Sequence, residues 1–310
     1  MISDLFTTTV LVGILASGIR LATPYLYAAI GEAFGQRSGV LNLGVEGQML
    51  LGAFAAFYVA LTTGNLWLAV LVAMLVGALM GLAMAFVTVN LHAQQGISGI
   101  GFYLFGLGMS DLLFQKMLGT VETVKGFSKI NIPVLSDIPG LGEIFFSQNL
   151  LVYLAYLLVP IAWFVLNKTT LGLKIRSVGE NPEAADSLGV SVAGIRYFTI
   201  VLGGTLSGVA GASLSIALLN VFQQNMTSGM GFIAVALVYF GGWRPWGVLV
   251  GALLFSLVNS LQLWIQVLGI PIPSEIAVMM PYVLTILVLV ASASRVRSPS
   301  ALTKPFERED

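Results

Sequence analysis

The stretch that decides the fold is LWLAVLVAMLVGALMGLAMAFVTV, residues 66–89, which runs without a single charged side chain. About 20 helical residues, rising 1.5 Å each, cross the hydrocarbon core of a bilayer, so an uncharged run of this length predicts a transmembrane helix. Residues 197–219 and 276–294 read the same way. Working outward, 57% of the 310 residues are hydrophobic, 9% are charged, and the mean hydropathy is +0.94. A soluble domain of this size has no interior large enough to hide that much apolar surface. The chain reads as all-α, a polytopic membrane helix bundle forming one transmembrane domain over residues 1–310.

Turn and charge signals divide the bundle into eight or nine membrane segments, near 5–30, 40–62, 66–90, 96–117, 148–167, 192–219, 229–241, 247–267 and 275–294. The opening stretch MISDLFTTTVLVGILASGIR has its first cation at Arg20 and lacks the basic start of a signal peptide, so it reads as a first span rather than a cleaved leader. The seventh segment, GMGFIAVALVYFGG, is too short to cross comfortably. It predicts a half-helix that breaks at GGWRPWG, where glycines and Pro245 stop helical hydrogen bonding.

Lys and Arg are enriched in cytoplasmic loops. One set of alternate connections carries Arg37, Lys168, Lys174, Arg176 and Arg244, and the tail over about 295–310 adds Arg295, Arg297, Lys304 and Arg308. The opposite set carries Lys116, Lys125 and Lys129, all in or beside one connection over about 118–147. Nine against three predicts a cytoplasmic C-terminus and, for an odd number of spans, an outside N-terminus. The 14 basic and 14 acidic residues cancel, so net charge says nothing about partners, and no nucleic-acid partner is expected.

The chain has no cysteine and one histidine, His92, which excludes disulfides, thiol catalysis and clustered His or Cys metal ligation. No G-x-x-x-x-G-K-[ST] loop is present, so this chain is not itself an ATPase. No catalytic residue, metal or cofactor is expected.

The predicted inner connection, about 168–191, holds GENPEAADSLGV, residues 179–190. Asn181 can cap a helix, Pro182 suits its first position, and Glu183 and Asp186 place negative charge toward the positive end of its dipole. Gly189 supplies a left-handed stop. The result is a two-turn helix with Ala184, Ala185 and Leu188 on one face, too short to stand alone in water. Either it folds back on its flanking helices or that face docks on another protein.

The segment TTLGLKIRSVGENPEAADSLGVSVAGIRYFTIVLGGTLSGVAGA resembles the permease subunits of bacterial ABC importers, in the branch handling branched-chain amino acids, simple sugars and nucleosides. GEAFGQRSGVLNLGVEGQMLLGAFAAF, residues 31–57, is similar to the version typical of nucleoside and simple-sugar permeases. Gln36 stands where relatives are expected to carry an acid. The resemblance spans about residues 20–295. It implies that Gly179, Glu180, Asn181, Pro182, Glu183, Ala184, Ala185, Leu188 and Gly189 form the coupling helix that engages a separate ABC ATPase. It also implies a second, homologous permease, an extracytoplasmic substrate-binding protein or lipoprotein, and a place in the bacterial inner membrane.

Glu46 stands out among the membrane carboxylates, because an ionisable residue there is costly and by default functional. It either lines a pathway with Asn42 or, paired with Arg37 or an interfacial donor, orders a broken helix. Asn220 and Gln223, with Gln224 and Asn225, cluster where the sixth span ends and read either as pathway groups or as a polar outer loop. Two other readings stay open: a branched-chain amino acid permease, which would need Arg20 and Glu46 in the pathway, and an ion-coupled transporter using Glu46 as proton carrier. The small-residue runs GALMGLA at 77–83 and GGTLSGVAGA at 203–212 predict close helix packing.

Overall fold

The computed structural model describes residues 7–133, 135–269, 273–292 and 297–307. The chain folds as α1 (Thr8–Arg37), α2 (Val45–Thr63), α3 (Leu66–Ala85), α4 (Gln95–Met117), α5 (Leu150–Lys168), α6 (Thr170–Glu180), α7 (Pro182–Ser187), α8 (Val192–Ser213), α9 (Met230–Phe240), α10 (Pro245–Val267) and α11 (Ser274–Ser292). Single π-helical turns extend α3 over Phe86–Asn90 and α8 over Leu214–Leu218. Among the described residues, seven helices are long and apolar enough to cross a membrane: α1 to α5, α8 and α10. The chain is a multi-pass helical membrane protein.

Helix α8 is the central post, packed against α1, α2 and α3. Lipid tails are as apolar as leucine, so tight backbone contact must replace a hydrophobic drive between helices. The two small-residue runs meet each other here. A Cβ on Gly81 of α3 would lie 2.9 Å from the Ile200 carbonyl of α8, and Gly77 sits on the Gly204 carbonyl. Gly31 of α1 meets α8 in the same manner, with a Cβ there 3.0 Å from the Gly203 carbonyl.

Two departures from the sequence reading shape the site. Helix α1 continues to Arg37 instead of ending near 30, and α2 begins at Val45 instead of 40. Between them the backbone is not helical and climbs back along α4. The Leu41 N–H donates to Gln95 Oε1 at 2.8 Å, at the first residue of α4. Gly47 then packs against Gly106, the twelfth of the 23 residues of α4. Helix α2 therefore begins about half-way along its neighbour.

Helix α9 is half-length, as its sequence predicts: 11 residues span roughly 16 Å. It ends at Phe240, before Pro245 opens α10 in the first turn.

The connection over 118–147 carries a small antiparallel pair, β1 (Lys129–Asn131) and β2 (Ser147–Asn149), with Lys129 opposite Asn149. It is pinned over the end of α8, where the N–H groups of Val124 and Phe127 donate to the carbonyls of Asn220 and Ile216 at 3.0 and 3.1 Å.

Candidate functional site

The site has two parts, a polar knot inside the bundle and a capped helix at the end that carries Arg37 and Arg176.

The knot centres on Glu46, in the first turn of α2 and 1% exposed. Its Oε1 accepts the Thr227 hydroxyl at 2.5 Å and the Gly229 N–H at 2.7 Å, while Oε2 accepts the Gly231 N–H at 2.5 Å. Gly229 and Gly231 flank Met230, the first residue of α9. The carboxylate thus satisfies backbone donors that a helix N-terminus leaves open, and it faces the positive end of the α9 dipole. The backbone from Asn220 to Gly229 runs from beneath the 118–147 connection to this point, with Phe222 and Thr227 fully buried. Non-helical backbone at membrane depth is tolerated where protein encloses it.

Glu32 joins the second broken segment to the same knot. Its Oε1 accepts the Gln36 amide at 2.9 Å and the Asn42 N–H at 3.0 Å. Gln36 Oε1 in turn accepts the indole N–H of Trp243 at 2.7 Å, so Gln36 uses both ends of its amide. An acid at position 36 would lack the donor that meets Glu32. Asn42 Nδ2 donates to Gln48 Oε1 at 3.2 Å, and its Oδ1 accepts the Gly44 N–H at 2.9 Å.

Arg37 is not the partner of Glu46: its Nε donates to the Trp243 carbonyl at 3.0 Å. The four candidate pathway residues fall into two places. Asn42 and Glu46 belong to the knot, with their polar atoms committed to holding backbone. Asn220 lies under the 118–147 connection with its Oδ1 buried and without a partner among the described residues, and Gln223 is exposed nearby. Glu32 was not singled out from the sequence. Its signal was the spacing Glu32 to Gln36, two polar residues one helical turn apart inside an apolar run.

At the Arg37 end, α6 and α7 form an elbow. The Asn181 side chain caps α7 by accepting the Ala184 N–H at 3.0 Å, Pro182 is the first helical residue, and Gly189 takes a φ of +80° just past the end. The face Ala184–Ala185–Leu188 splits. Ala185, 2% exposed, turns inward against Val178 and Val192, whereas Ala184 is exposed and Leu188 is 84% exposed. Gly179 is also turned inward, its Cα against the Arg37 carbonyl. Of the predicted coupling residues, Glu180, Asn181, Glu183, Ala184, Leu188 and Gly189 are exposed and Pro182 is half-exposed.

This is a helical membrane bundle in which one carboxylate in the first turn of α2 meets the start of the half-length α9, with a capped helix projecting from one end. A family model described as branched-chain amino acid transport system / permease component matches residues 14–289, and the chain belongs to that family. It is 39% identical to a putative glucose ABC transporter permease of Haloferax volcanii over 96% of this chain and 98% of that protein. It is also 39% identical to a nucleoside ABC transporter permease of Lactococcus lactis over 93% of this chain and 94% of that protein. A guanosine ABC transporter permease of Bacillus subtilis is 38% identical over 92% of this chain and 93% of that protein. No solved structure matches the chain.

Proposed function

We propose that this chain is a transmembrane permease subunit of an ATP-driven importer in a bacterial inner membrane, carrying nucleosides or a related simple sugar. The observation that carries the reading is the capped helix α7, with Leu188 held out at 84% exposure at one end of a bundle of the permease family. An apolar side chain so exposed beside a pre-formed helix suits a groove on a separate ABC ATPase. The names of the relatives favour nucleosides and sugars over amino acids.

In this reading the bundle makes nine crossings, with α9 completing one together with the extended backbone before it. The N-terminus lies outside, and α6, α7 and the C-terminus lie in the cytoplasm. A second, homologous permease completes the pathway, and an extracytoplasmic binding protein or lipoprotein delivers the solute. Asn220 and Gln223 line its outer part, while Asn42 and Glu46 shape its wall by fixing the re-entrant backbone. ATP binding biases a two-state bundle through α7.

The proton-carrier alternative is disfavoured because both Glu46 oxygens already accept donors.

The reading is tested by purifying the chain with its ATPase and measuring ATP-dependent entry of guanosine, glucose and leucine into proteoliposomes. Entry of guanosine or glucose that stops without ATP is expected. Leucine as the sole solute would move the assignment to amino acids, and uptake by the chain alone on a pH gradient would overturn it.

At the docking face, Leu188→Glu is expected to lower uptake roughly tenfold or more, a loss of about 1.4 kcal/mol or more of coupling. The amount of chain in the membrane should stay unchanged. Ala185→Glu instead drives a charge into the chain's own interior and is expected to reduce folded protein. Equal folded yields for the two variants would contradict the split face.

A further inference from the structure

The segment after α11 was expected to be a plain tail, yet residues 297–307 fold back across the Arg37 end of the bundle. The Ala301 N–H donates to the Gly179 carbonyl at 2.9 Å, and the Ser300 hydroxyl meets Glu180 Oε2 at 3.1 Å. Two residues on, the Thr303 N–H donates to the Gly39 carbonyl at 3.1 Å. Phe306 then packs into the small cluster of Val178, Ala185 and Val192 beneath α7, and Glu307 Oε1 lies 3.5 Å from His92 Nδ1. One short segment therefore touches the elbow between α6 and α7, the underside of α7, and the turns that follow α1 and α3.

We infer that residues 298–307 are a strap that carries displacement of α7 to the turn at Gly39, and so act as a positioning element for transport. The inference rests on the importer reading above. Gly39 leads within three residues to Asn42, whose N–H is held by Glu32, and within seven to Glu46, which holds the start of α9. A pull on Gly39 acts on the backbone that leads into α2, whose Glu46 side chain holds the start of α9. The seat is close: Gly39 has a φ of +91°, and a Cβ there would stand 3.1 Å from the Ala301 carbonyl and 3.2 Å from Arg196 Nη2. Beneath the strap Arg196 is 2% exposed, with Nε and Nη2 unpartnered among the described residues.

Removal of residues 298–310 is the first test, made in the full complex with its ATPase in proteoliposomes with guanosine and glucose as probes. The wild-type complex run alongside decides the importer reading separately, since no ATP-dependent uptake there would end that reading and not this one. For the shortened chain, the expected result is normal amounts in the membrane with the ATPase still bound. ATP hydrolysis should continue without stimulation by solute, and uptake should fall roughly tenfold, within the range of ordinary coupling energies. A role confined to folding would not raise the number of ATP molecules spent per solute. Wild-type uptake and stoichiometry would overturn the inference.

Should the shortened chain not accumulate, the whole chain carrying Glu180→Cys and Ser300→Cys decides, in a protein with no other cysteine. Bridging the pair with a short reducible bis-thiosulfonate is expected to leave uptake within about twofold of that of the same double variant before bridging, because strap and elbow move together. Uptake that stops on bridging and returns on reduction would overturn the inference.

Discussion

Glu46→Leu is expected to abolish transport and to lower the thermal midpoint of the purified chain by roughly 10 °C. The substitution strips three donors of their acceptor: the Thr227 hydroxyl and the N–H groups of Gly229 and Gly231. Each buried unsatisfied donor costs about 1–3 kcal/mol, and water cannot substitute at membrane depth. The loss should be on the order of 3–9 kcal/mol, reduced by whatever desolvation of the carboxylate had cost. Glu46→Gln separates this from a proton-carrying role. The amide keeps one acceptor oxygen but turns an NH₂ toward an N–H, so it should be intermediate in both midpoint and uptake. A Gln variant of full thermal stability that had lost only a pH-driven component of uptake would remove the knot from this account.

The second large effect is expected at Gly204→Leu in α8. Its Cα faces the Gly77 carbonyl, and a Cβ would stand 2.9 Å from the Gly81 Cα, so the obstacle is backbone and cannot rotate away. Overpacking against movable side chains costs about 1–3 kcal/mol; against a helix backbone the two posts must separate, and the loss should exceed that range. The expected readout is failure to accumulate in the membrane or a midpoint too low to measure in detergent. Gly108→Leu is the control, on an equally apolar helix but with nothing within 4 Å of the added carbon. Equal behaviour of the two variants would show that the α3–α8 contact is not what holds the bundle.

These contacts explain which parts of the molecule were readable in advance. The membrane helices were, because an uncharged run like 66–89 answers to one constraint, the thickness of the hydrocarbon core. The caps of α7 were legible because Asn181, Pro182 and Gly189 act on their own neighbours in sequence. The small-residue runs announced close packing but not that they pack on each other, since partner choice lies 127 positions away between Gly77 and Gly204.

The start of α2 was misplaced for a related reason. Residues 40–44 are as apolar and glycine-rich as a helix entry, and the bonds their N–H groups make to Gln95 and Glu32 side chains hold Leu41 and Asn42 out of a helix. Glu46 was recognised as unusual, but its partners lie more than 180 positions on, beyond any local pattern. The inward turn of Ala185 depended on Phe306, which composition alone would have left in solvent.

The meeting of two helix starts, those of α2 and α9, at Glu46 has an electrical consequence. Each helix start contributes about half a positive charge, and one carboxylate sits between them, so the three cancel closely. At Glu46 itself, these three charges then leave little net field. In the importer reading proposed above, an uncharged solute passing that level would meet no electrostatic trap at Glu46, while an ion would find no compensation there for the water it must shed.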